Sequence, residues 1–151
     1  MTVDRTYVAE NDAERDRLHS LATRLSDEQL GRPMPAGWTV AAVLAHLAFW
    51  DARAVFWLDR WERGVEPASP DYETREDVEW INDSAKPLCL ALPPRDAAQL
   101  ALRLAEEADR KVAALSDDLL AKIQATGCPF NLSRADHRKE HLDDVERALS
   151  P

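Results

Sequence analysis

The chain has 151 residues and a formal net charge of −9. That length suits one domain over residues 1–151 with a hydrophobic core of its own. The acidic balance argues against nucleic acid and anionic membrane surfaces as partners, because either would demand a basic patch. No stretch approaches the ~18 apolar residues of a membrane span, and Met1-Thr2-Val3-Asp4-Arg5 lacks the apolar run of a secretory leader. Cys89 and Cys128 have no C-x-x-C spacing, so both read as structural thiols of a reducing compartment, and a cytoplasmic location is expected.

In chain order, Asn11-Asp12-Ala13-Glu14 has the form of a capping box, and Leu18, Leu21, Ala22 and Leu25 follow at spacings of three and four. A first helix is expected there, ending near Leu25-Ser26-Asp27-Glu28-Gln29-Leu30, before Gly31, Pro33 and Pro35 break the pattern. A second helix starts behind Thr39 as N-cap and runs to about Arg63-Gly64. On a helical projection Trp50, Trp57, Trp61, Val43, Ala54, Leu47 and Leu58 fall within an arc of about 120°, and His46 marks its edge.

Val65 to Tyr72 reads as a loop, and Thr74 to Leu92 as a short helix cut by Pro87. After Pro93-Pro94 a third helix carries Ala97, Ala101, Leu104, Ala108, Val112 and Leu115 at helical spacing. It ends in Leu115-Ser116-Asp117-Asp118-Leu119-Leu120, close to the segment that ends the first. A loop with Gly127 and Pro129 leads to a fourth helix, capped by Ser133, with Leu142, Val145 and Leu149 as its apolar stripe. The repeated Leu-Ser-Asp-x-x-Leu suggests two αα-hairpins, hence an all-α four-helix bundle with helices two and four facing each other.

His137 and His141 stand four apart, so on a helix their imidazoles share one face. His46 on the facing helix supplies a third nitrogen, and three neutral imidazoles suit zinc, nickel, cobalt or iron, with zinc or nickel favoured among divalent metals. The bland readings are a hydrogen-bonded core histidine for His46 and solvated side chains for the pair. His19 is read as a surface or interhelical packing residue and is assigned no role. His137-Arg138-Lys139-Glu140-His141 also fits a zinc-protease pattern, but that class needs a further glutamate well downstream. Asp144 is a candidate to orient a ligand ring and Glu140 a candidate acid or base, with plain solvation the alternative. Trp50 and Trp57 are candidate walls of a pocket, against ordinary core packing. Arg53, Arg134 and Arg138 are candidate anion holders, against interhelical ion pairs.

Gly37-Trp38-Thr39-Val40-Ala41-Ala42-Val43-Leu44-Ala45-His46-Leu47-Ala48, together with the C-terminal His137-x-x-x-His141, resembles the DinB-like superfamily, relatives of mycothiol-dependent maleylpyruvate isomerases and bacillithiol transferases. The resemblance spans nearly the whole chain. It implies a four-helix bundle with a divalent metal on the positions of His46, His137 and His141. Some thiol-dependent members carry glutamate in place of one histidine of the pair, whereas this chain has histidine at both. The activity implied is transfer of a low-molecular-weight thiol such as mycothiol or bacillithiol to a small-molecule electrophile. A metal-dependent hydrolase and a non-catalytic, stress-associated metal-binding bundle are the alternatives, and the bundle admits a homodimer.

Overall fold

The computed structural model describes residues 3–68, 74–126 and 130–151. The expected loop over Val65 to Tyr72 therefore falls partly outside the described residues, as do Gly127, Cys128 and Pro129. Among the described residues seven α-helices follow in order: α1 Thr6–Arg24, α2 Asp27–Leu30, α3 Val40–Glu62, α4 Arg75–Ala91, α5 Pro94–Ala113, α6 Asp117–Ala125 and α7 Ala135–Leu149. Before α3, a two-residue strand β1 (Pro33–Met34) pairs antiparallel with β2 (Trp38–Thr39), a ladder too short for any period-two pattern.

Three local expectations are corrected. Asn11 does not cap the first helix, which already begins at Thr6. Asn11 lies inside α1, buried, where its Nδ2 donates to the Leu132 carbonyl at 3.1 Å and its Oδ1 accepts from the Ala135 N–H at 2.9 Å. It thus serves the orphan donors at the start of α7 from another helix, and Ser133 is not the cap. Nor does Pro87 cut its helix: α4 runs through it. The proline is on the exposed side, where water can serve the carbonyl that loses its partner. Thr74 and Asp77 close a reciprocal capping box at the start of that helix.

The expected ends of helices one and three are borne out, and each Leu-Ser-Asp segment does more than stop a helix. Ser26 and Ser116 cap the short α2 and α6, accepting from Gln29 and Leu119. Thr39 caps α3 as expected, its Oγ1 accepting from Ala42 at 3.1 Å.

Helices α1, α3, α5 and α7 form the bundle, with α4 laid against α3. Packing is most extensive between α3 and α5, next between α1 and its neighbours α5 and α7; α3 and α7 face each other across a thinner seam. Against the expectation that no stretch approaches a membrane span, α3 is long and apolar enough to cross one by length and composition, and 67% of its apolar window is buried within the bundle. One apolar cluster gathers Leu18, Leu21, Leu44, Leu47, Ala101 and Leu142. A second gathers Tyr7, Leu58, Trp61, Val112, Leu120 and Ile123. Between the two clusters lie the buried polar side chains Asp51 of α3, Asp109 of α5 and Arg138 of α7, and His46 lies among the α3 residues of the first cluster.

Candidate metal centre

His46 sits in the N-terminal half of α3, 6% exposed, and His137 and His141 lie one turn apart on α7. The ring centroids are 5.0 Å apart for His46 and His137, 4.8 Å for His46 and His141, and 4.7 Å for His137 and His141. Each ring offers one nitrogen within 4.8 Å of the other two. His46 Nε2 faces His137 Nε2 at 3.0 Å, close to the roughly 3.3 Å that separates neighbouring nitrogens on a tetrahedral zinc with ~2.05 Å bonds. Two imidazole lone pairs at that distance repel unless a proton or a cation lies between them. His46 Nδ1 is buried without a hydrogen-bond partner.

Burial keeps these rings neutral. It pushes His46 down to about 4, with the neighbouring His141 charge adding to the effect. His137 is lowered by burial first, then by His141, His46, Arg134 and Arg138. His141 is lowered by burial, against the opposing pull of Glu140 and Asp144. Neutral imidazoles are the ligand form, so the donor set fits a divalent cation without first losing protons.

Aromatic side chains wall the cluster. The Trp38 ring meets His46 edge-on at 5.7 Å, and Trp50 meets His137 at 6.5 Å while its Nε1 donates to Asn82 Oδ1 on α4 at 2.8 Å. Trp38 reaches the site because the chain turns left-handed just before it, with φ of 59° at Ala36 and 78° at Gly37. The Ala36 carbonyl accepts from Lys86, whose ammonium lies 5.2 Å from the Trp38 ring centre. Trp38 was not among the residues expected at the site; the only sign of it was its place just before the cap of the histidine helix. Arg53 stacks over Trp50 at 5.4 Å and Phe49 at 6.0 Å, on the flank of the site.

Other candidates are elsewhere engaged. Trp57 packs on Trp61 and Phe56 beside the second apolar cluster. It shares an angular position with the histidine face but lies about 16 Å along the axis from His46, at 1.5 Å per residue. Asp144 accepts from Arg147 at 2.7 Å rather than orienting a ring, and Glu140 is exposed. Arg134 and Arg138 are not free to hold an anion. Arg134 Nε donates to Asp51 Oδ1 at 3.0 Å; Arg138, 1% exposed, grips Asp109 with both terminal nitrogens at 2.7 and 2.8 Å and reaches Asp51 Oδ2 at 3.2 Å. Arg15 adds a bond to Asp109 at 2.7 Å. Sequence reasoning missed Asp51 and Asp109. Asp51 left a signal, a lone carboxylate in an otherwise apolar run five residues after His46.

The arrangement defines a class: helical bundles with three histidines converging from two facing helices, able to hold a divalent ion with a coordination position left open. The family model described as the DinB superfamily matches residues 10–141, and the chain belongs to that superfamily. Comparison with curated proteins and with solved structures found no match.

Proposed function

We propose that this protein is a metal-dependent transferase of low-molecular-weight thiols, with zinc or nickel held by His46, His137 and His141. The observation that carries the reading is the convergence of three neutral imidazoles, not four, at one point, since three protein ligands leave room for a reactant. A divalent cation there would lower the pKa of a thiol bound beside it, so that thiolate is present at neutral pH. The thiolate sulfur would form a bond to a small-molecule electrophile, the displaced electron pair leaving on the electrophile and the thiol proton passing to water. Trp38 and Trp50 offer apolar faces against which an organic electrophile packs.

Thiol transfer is favoured over hydrolysis by what surrounds the rings. Among the described residues no carboxylate hydrogen-bonds any of the three histidines: Asp51 is taken by arginines, Asp144 by Arg147, and Glu140 is exposed. A thiol with a pKa of ~8.5 needs far less help to ionise than water at ~15.7. A cytoplasmic location, where such thiols stay reduced, belongs to the same reading. The test uses cobalt-substituted protein. Mycothiol, bacillithiol or glutathione should add a sulfur-to-metal absorption band; no response to any of them would overturn thiol transfer and leave a metal-binding bundle.

A further inference from the structure

Between the two apolar clusters lies a layer of buried charge that the proposed chemistry does not use. Asp51 is 3% exposed, Asp109 3%, Arg134 8% and Arg138 1%. Burying ions costs several kcal/mol each, and a pair rarely returns more than that, so a layer of this kind is expensive as a means of stability alone. Its placement is specific. Asp51 is five residues after His46 on α3; Arg138 follows His137 directly on α7, and Arg134 precedes it by three. Asp51 receives Arg134 on one oxygen at 3.0 Å and Arg138 on the other at 3.2 Å, joining the two histidine helices across a seam less extensive than that of α3 with α5. Arg138 carries the link on to Asp109 of α5 and, at 3.4 Å, to the Asn11 carbonyl of α1.

We propose that Asp51 is a positioning residue: clasped by Arg134 and Arg138, it sets the register of α7 against α3, and with it the spacing of His46 from His137 and His141. This rests on the reading of the three histidines as a metal site. A second effect has the same sign. Two guanidiniums lie beside a site for a divalent cation, and Asp51 supplies the negative charge that offsets them, so its loss would leave the ion facing uncompensated positive charge. Groups that orient metal ligands typically contribute 10- to 100-fold in affinity when removed.

The test is a cobalt titration of the wild type, Asp51→Asn and Arg17→Gln, following affinity and the visible spectrum, with circular dichroism and urea unfolding on each. Arg17 ties α1 to Asp143 and Glu146 of α7 but does not touch α3, so it controls for a merely stabilising ion pair. Asp51→Asn should remain helical, bind cobalt at least about 10-fold more weakly and show a changed spectrum. Arg17→Gln should keep affinity and spectrum even where its unfolding midpoint falls. Should Asp51→Asn fail to fold, Arg138→Lys, which keeps the charge but loses the planar fork, should show the same weakening. Wild-type affinity and spectrum in a folded Asp51→Asn, or in Arg138→Lys where that variant stands in, would overturn the positioning role; so would failure of both to fold, which would make the layer purely structural. A wild type that binds no cobalt would instead bring down the metal reading itself, and the inference with it.

Discussion

The seam between α3 and α5 and the seam between α3 and α7 solve the same problem in opposite ways. On α5, Ala97, Ala98, Ala101, Ala105 and Ala108 are all buried, and so are Ala41, Ala42, Ala45 and Ala48 of α3, the helix that packs most extensively against it. Small side chains let the backbones approach closely, and shape alone fixes the contact. Between α3 and α7 the groups that meet are His46 with His137 and His141, and Asp51 with Arg134 and Arg138. There the geometry is set by directional bonds between polar groups. A close-packed apolar seam serves as scaffold, whereas a polar seam can hold lone pairs at a chosen spacing for a ligand.

Four changes sharpen that contrast. The largest effect is expected from Arg138→Met, which removes the guanidinium that Asp51 and Asp109 share and leaves them only Arg134 and Arg15. Breaking a buried ion pair costs up to about 3–5 kcal/mol, a large part of the 5–15 kcal/mol of a typical domain, and urea unfolding at neutral pH reads it. Next is metal itself. Zinc that binds only the folded state adds about 2.7 kcal/mol at a free concentration of 100 Kd, so the melting temperature should rise with zinc and fall with chelator, and both shifts should be smaller in His46→Ala.

On the alanine seam, Ala101→Leu forces three more carbons into a space with no exposure. The expected loss is about 2 kcal/mol by overpacking, with zinc affinity unchanged, since nothing at the histidines moves. The smallest effect is that of mild acid on the metal-free protein. His46 titrates near 6.5 when unfolded and is held near 4 by burial in the fold, so between these values the unfolded chain binds the extra proton. The stability this represents is whole above about 6.5 and is lost as pH falls towards 4, roughly 1 kcal/mol from His46 at pH 6. Melting temperatures of chelated protein between pH 5 and 8 check the direction, and in His46→Ala the slope should be shallower.

The same contrast explains what could be read from the sequence. The alanine and leucine face of α5 and the pairing of His137 with His141 rest on helical spacing, a local property, and were legible; the buried Ala41, Ala42, Ala45 and Ala48 of α3 were not singled out, and the family resemblance supported His46 as the third member of the site. Asn11 was misread as the cap of its own helix because the helix it serves begins 124 residues later. Arg134 and Arg138 read as anion holders because their partner Asp51 is more than 80 residues away. Periodicity gives the angle of a side chain but not its height, which is why Trp57 was drawn towards a site that it does not reach. Polar partnerships across a bundle leave no period in either chain segment, so they emerged only from the packed helices.

The account turns on the three histidines forming one metal site, and zinc titration against a chromophoric competing chelator tests this most directly, with wild type and His46→Ala side by side. One zinc per chain is expected for the wild type, with affinity reduced at least about 10-fold in His46→Ala, because two histidines on one helix make an incomplete shell. A wild type with no stoichiometric zinc, or a His46→Ala variant that binds it equally well, would contradict the account.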